Sequence, residues 1–192
     1  MRSELRPALL SLALLSILTG AIYPAVVTGI AHLAFRRQAE GSLIPRDGKP
    51  VGSALIGQPF DDPKYFWSRA SGTSPAYNGA ASGASNLGPM NPALTDAIKD
   101  RVAALRAADP RATGPVPIDL VTTSGSGLDP HITPAAAAYQ VNRVAQVRSL
   151  SVDRIRDLVR RYTEGRQLGF LGEARVNVLR LNLALDSLTA TP

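Results

Sequence analysis

Few residues in this 192-residue chain have the chemistry of an active site, and most of them crowd into one stretch. Ser124-Gly125-Ser126-Gly127 is followed closely by Asp129-Pro130-His131. A serine nucleophile needs a base to take its proton and a carboxylate to orient that base. Ser126, His131 and Asp129 supply those three types. However, Gly125-Ser126-Gly127 lacks the intervening positions of the Gly-x-Ser-x-Gly elbow, so turn chemistry is the leading reading. A membrane-anchored hydrolase using Ser126 and His131 is kept as the alternative. The same Ser124–Gly127 run offers backbone N–H groups that can cradle a phosphate. It lacks the Gly-Lys-Ser/Thr ending that makes a P-loop specific, which favours a Gly-rich turn leading into the next helix.

Other chemistry is bounded quickly. The histidines are His32, inside an apolar run, and His131, so a histidine metal cluster has too few ligands. With no cysteine there is no disulfide, thiolate site or cysteine-linked lipid anchor. Asp61-Asp62 beside Pro63 read as turn residues, with hard-cation binding second. Arg154, Arg156, Arg160 and Arg161 share a basic helix that such patterns usually leave in solvent.

The elements that position these residues form a small α+β domain in residues 36–192. Residues 41–92 are dense in Gly, Pro, Ser and Asn. Within them, Gly52 to Gly57 reads as a short strand, and Tyr65-Phe66-Trp67 as packed anchors. The stretch from Tyr77 to Met90 has a linker-like composition, but Tyr77, Leu87 and Met90 argue for an ordered loop. Asn91-Pro92 and Thr133-Pro134 are cap-plus-proline helix starts. The first leads Leu94, Ile98, Val102 and Leu105 to a stop near Asp109-Pro110. The second leads Ala137, Val141, Val144 and Val147. Ser151 opens a third helix with Ile155, Leu158, Val159 and Tyr162 on one face and Gly165 as its stop. Ile118 to Val121 alternates like a strand, Ala174 to Leu179 reads as another, and Leu181, Leu185 and Leu188 as a short closing helix.

Ahead of the domain, after a flank of residues 1–7, lie 28 residues without a charge, Ala8 to Phe35. At about 1.5 Å per residue they extend roughly 42 Å as a helix, enough for a membrane span of about 20 apolar residues. A cleaved signal would end its apolar core after about 7 to 15 residues, and this one runs on past Ala21. Arg2 and Arg6 precede it, and Arg36 and Arg37 follow it with Arg46 and Lys49 further on, so the positive-inside count assigns no clear direction and leans toward an inner domain. Pro24 predicts a kink. Ala21, Ala25 and Gly29, and Gly20 with Pro24, recur at four-residue spacing, which lets another helix approach closely. After Arg37 there are 17 basic and 14 acidic residues, leaving about three positive charges, too few and too dispersed for a nucleic-acid footprint.

Taken in order, several segments resemble one family. Gly52-Ser53-Ala54-Leu55-Ile56-Gly57-Gln58 with Tyr65-Phe66 and Arg69 resembles the first block of the C subunit of the Kdp potassium-transporting P-type ATPase. Ser82 to Gly88 with Asn91-Pro92, Asp119 to Thr122 with Ser126 to Ile132, and Gln140 with Arg143-Val144-Ala145 resemble its next three blocks. Val176-Asn177-Val178 with Leu181 to Asp186 resembles its closing signature.

The resemblance implies a non-catalytic subunit of an ATP-driven potassium import complex in the bacterial inner membrane. Its partners would be a channel-like A subunit, a P-type B subunit that hydrolyses ATP, and a small F subunit, with lipid around the helix. It implies a single-pass protein with its domain on the outer face, acting as a catalytic chaperone that raises the ATP affinity of the B subunit. It places nucleotide contacts at Ser124, Gly125, Ser126, Gly127 and Gln140, with ATP as the ligand and none tightly bound. One helix cannot expose one domain to both compartments, so an outer domain would influence the B subunit through packed elements. A module that shapes potassium access from outside is a further alternative.

Overall fold

The computed structural model describes residues 2–189, with side chains from 4 to 188. The chain divides into two compact units, residues 1–43 and 44–192.

The first unit is helical: α1 (Arg2–Ile17), a π-helical turn (Leu18–Ile22), α2 (Tyr23–Ala34) and the short α3 (Arg36–Ala39). Glu4 to Ala34 run as one helix of 31 residues, in which an 18-residue window reaches a mean hydropathy of 2.0. It is long and apolar enough to cross a membrane. Phe35, at φ −134°, ends it. Pro24 has no N–H, and its ring crowds the carbonyl four residues earlier. The helix absorbs this by widening just before it, where Tyr23 N–H donates to Leu18 O. Inside the π turn, the Thr19 hydroxyl donates to Leu15 O at 2.7 Å. The small residues Gly20 and Ala21 lie in that turn, whereas Ala25 and Gly29 lie in α2. The four-residue rows therefore keep α-helical register only within α2.

A two-stranded sheet follows, β1 (Leu43–Arg46) and β2 (Lys49–Ser53). Asp47 and Gly48 join them with φ of 51° and 75°, the paired positive φ of a tight hairpin turn. A three-stranded antiparallel sheet has the order β3 (His131–Ile132), β5 (Arg175–Asn177), β4 (Thr163–Glu164). Ile132 and Thr163 both sit opposite Val176. The helices are α4 (Pro92–Ala108), α5 (Ile118–Val121), α6 (Pro134–Val147), α7 (Val152–Arg161) and α8 (Val178–Thr189), of which α6 and α8 pack on β5.

The expected caps form. Asn91, Thr133 and Ser151 each accept a hydrogen bond from a backbone N–H in the first turn of their helix. α6 is central. Ala136 and Ala137 are fully buried, which lets neighbours approach its backbone, and Val141 and Val144 continue that face. α7 buries Ile155, Leu158 and Val159 against it and turns its arginines outward. Val176 from β5 and Leu181 and Leu185 from α8 complete the core.

Several sequence expectations need correction. Gly52–Gly57 is not one strand: β2 ends at Ser53, and Leu55 N–H donates to the Ser53 hydroxyl in a turn. Ile118–Val121 is a helical turn, because Asp119, Leu120 and Val121 are buried in succession, a pattern no half-buried strand can make. β5 stops at Asn177, whose side chain accepts from Arg180 N–H and starts α8 at Val178. α7 closes on Tyr162 rather than Gly165, since β4 intervenes. Val147 is half exposed and Met90 almost wholly so.

Candidate functional site

The Ser124–Gly127 run is a turn whose backbone is tied to the loop that precedes α4. Ser124 N–H donates to Ala70 O, and Ala70 and Thr123 form a parallel bridge. Ser126 O accepts from Gly83 N–H at 2.9 Å and from the Ser82 hydroxyl at 3.0 Å. Gly127 O accepts from the Ser71 hydroxyl at 2.6 Å. Gly127 itself has φ +70°, and a Cβ there would lie 2.5 Å from Gly83 O. Only glycine fits such a crossing. The stretch 70–85 is therefore an ordered loop and not a free linker.

Gly125 and Ser126 are exposed at the tip, whereas Ser124 is buried with its hydroxyl unpartnered among the described residues. The Ser126 hydroxyl accepts from Leu128 N–H at 3.1 Å. His131 turns its Nδ1 to Asp129 at 3.4 Å, and Asp129 also pairs with Arg69 at 3.3 Å. Among the described residues no hydrogen bond joins Ser126 to His131, so the base is oriented but not set against the hydroxyl. Arg69, Asp129, His131 and Glu173 line a polar cleft of about 310 Å³. Burial pushes the Asp129 carboxyl up, but bonds from the His131 side chain and backbone, with Arg69 nearby, outweigh it and hold it below the ordinary carboxylate range.

Gln140 engages a different segment. Its carboxamide lies inside the domain, 1 % exposed. Oε1 accepts from Trp67 N–H at 2.8 Å and from Arg143 at 2.6 Å, and Nε2 donates to Trp67 O and Ala136 O, each at 3.3 Å. Asn182 of α8 does the same to the preceding residue, with Oδ1 on Phe66 N–H and Nδ2 on Phe66 O, both 2.9 Å. Two carboxamides thus grip the N–H and C=O of consecutive residues as a neighbouring strand would, and Phe66 is driven fully into the core. Arg143 donates to Pro63 O and Tyr65 O and stacks 4.7 Å from the Trp67 ring. Burial pushes its guanidinium down to about 10, against the pull of Asp109 and Asp62, so it remains cationic at neutral pH.

The aromatic loop is also tied to α8. Asp186 accepts from Arg148 at 2.7 Å, Tyr65 at 3.1 Å and Arg46 at 3.2 Å. Asp62 and Lys64 pair at 2.8 Å, and Asp62 also accepts from Lys64 N–H, the turn role expected of Asp61-Asp62. On α7, Arg156 and Arg160 pair with Asp153 and Asp157 along the helix. Sequence reasoning missed the Asn182 grip and Asp186. An asparagine and an aspartate four apart in an otherwise apolar run were the available signal.

A helix long and apolar enough to cross a membrane, followed by a small α+β domain, defines the architecture of a membrane-associated protein. Residues 5–187 match the family described as KdpC, the c chain of K+-transporting ATPase, and the chain belongs to that family. It is 65% identical over 189 residues to the potassium-transporting ATPase KdpC subunit of Methylococcus capsulatus, covering 98% of this chain and 100% of that one. The subunit of the same name from Polaromonas naphthalenivorans is 62% identical over 189 residues, with 98% and 96% covered. That from Ralstonia nicotianae is 63% identical over 185 residues, with 96% and 91% covered.

Proposed function

We propose that this chain is the non-catalytic accessory subunit of an ATP-driven, high-affinity potassium import complex. In this reading it spans the inner membrane once, through residues 8–35, and holds its domain on the outer face beside the A, B and F subunits. It stabilises their assembly and raises the ATP affinity of the ATP-hydrolysing subunit. The observation that carries the reading is the end-to-end relation to subunits named for a potassium-transporting ATPase. The long apolar helix supports the membrane placement, and Ala25 and Gly29 on α2 supply its close-packing stripe.

A nucleotide contact through Ser124, Gly125, Ser126 and Gly127 is supported by the exposure of Gly125 and Ser126. Gln140 joins that contact only by releasing Trp67. With the domain outside, the effect on ATP affinity passes through packed elements instead. Photo-crosslinking of an azido-ATP to the whole complex separates the two. Label at Gly125–Ser126 supports direct contact, and label confined to the ATP-hydrolysing subunit supports transmission.

Purifying the complex from cells with and without this chain tests the reading itself. A lower yield of the intact assembly is expected without it. Full recovery of the complex in its absence would remove the assembly role. Protease cleavage of the domain in intact spheroplasts, but not in inverted vesicles, is the expected sidedness.

A further inference from the structure

The segment between β4 and β5 is a small closed hairpin with an apolar tip. Gln167 and Leu171 exchange both backbone hydrogen bonds, each at 2.9 Å. Leu168 and Gly169 turn the chain at φ 53° and 83°. At its base Arg166 holds both oxygens of Glu173 at 2.8 Å. The fixed geometry presents Leu168, 83% exposed, Phe170, 68% exposed, and Leu171, 46% exposed, in one four-residue stretch. No core function explains them, since none belongs to the buried cluster or to the side chains packed on it. Contiguous exposed apolar side chains on a rigid protrusion mark a surface that is covered in use.

From this hairpin we infer a second membrane contact: its tip enters the interfacial layer of the bilayer to which the chain is anchored. Three observations favour lipid over a protein pocket. The tip is purely apolar. Its flanks, residues 160–175, carry four arginines against two glutamates; Arg160, Arg166 and Arg175 pair with Asp157, Glu173 and Glu164, and the exposed Arg161 is placed to reach an anionic headgroup while Phe and Leu enter the acyl boundary. And the same chain carries an apolar helix long enough to span the bilayer, so even weak insertion is favoured by the tether. The inference rests on the proposed membrane-spanning helix.

Because the chain has no cysteine, single labels test this cleanly. The full-length variants Phe170→Cys, Met90→Cys and Val26→Cys are each coupled to a polarity-sensitive fluorophore. They are then reconstituted into phosphatidylethanolamine–phosphatidylglycerol vesicles carrying spin-labelled lipid quenchers. Met90 is 92% exposed and serves as the solvent control, and Leu168→Cys repeats the tip measurement. The expected result is a blue shift and strong quenching by shallow quenchers at position 170, none at 90, and quenching by deep quenchers at 26. Quenching at 26 with position 170 behaving like 90 overturns the inference and leaves the spanning helix standing. A shift at 170 that appears only when the other subunits are added overturns it in favour of a protein pocket. Absence of quenching at 26 overturns the spanning helix, and the inference with it.

Discussion

Gln140 and Asn182 each bond through their carboxamide to both the N–H and the C=O of one residue, Trp67 and Phe66 respectively. Removing either leaves an N–H and a C=O without these partners, buried at Phe66 and half-buried at Trp67, at about 1–2 kcal/mol each. Gln140→Leu and Asn182→Leu are therefore expected to lower unfolding stability by about 2–4 kcal/mol, read from urea denaturation of the detergent-solubilised chain. A stability unchanged by Gln140→Leu would detach this residue from the fold and return it to a ligand role. Asp129 gives a second residue-level expectation. Its carboxyl is held below the ordinary carboxylate range in the folded protein, so the folded state binds that proton less readily than the unfolded chain. The stabilisation is complete above the ordinary range and is lost as pH falls through the lowered value. Asp129→Asn should flatten the acid limb of the stability–pH curve below about pH 4, and an unaltered limb would assign acid sensitivity to other carboxylates.

Among the elements, the turn at Gly127 and the helix α7 carry the clearest expectations. Gly127→Ala forces a positive φ on a side chain and drives its Cβ against Gly83 O. A loss of about 2 kcal/mol or more is expected. Gly125→Ala has open space around its Cβ and should be near neutral. Ile155 is fully buried between α7 and the core, so Ile155→Ala should cost about 2–5 kcal/mol, measurable as a lowered thermal midpoint. These helices were legible because their starts are written in local chemistry: Asn91-Pro92, Thr133-Pro134 and Ser151 cap what they were expected to cap. The strands were not. Ile118–Val121 alternates on paper, yet tertiary burial of three successive residues makes it helical. Asp47-Gly48 is a local hairpin signal, and it joins β1 to β2 ahead of Gly52–Gly57. Of Ala174 to Leu179 the strand holds only over Arg175–Asn177; Val178 and Leu179 looked like its continuation because the capping role of Asn177 depends on where β5 ends.

For the molecule as a whole, the apolar helix, the α+β domain and the family were readable from sequence, since length, hydropathy and a full-length succession of blocks survive without coordinates. The use made of Gln140 and of the Ser124–Gly127 turn was not. Each depends on a partner 40 or more positions away, Trp67 for one and Gly83 for the other, and no local spacing encodes such a pairing. That arrangement suits an accessory subunit, in which polar side chains hold one loop-rich surface in shape. Potassium-stimulated ATP hydrolysis, titrated against ATP for complexes purified with and without this chain, tests the central claim most directly. The account predicts that the complex lacking the chain needs more ATP to reach half its maximal rate. An identical ATP dependence, with equal maximal rates and an intact assembly, would contradict it.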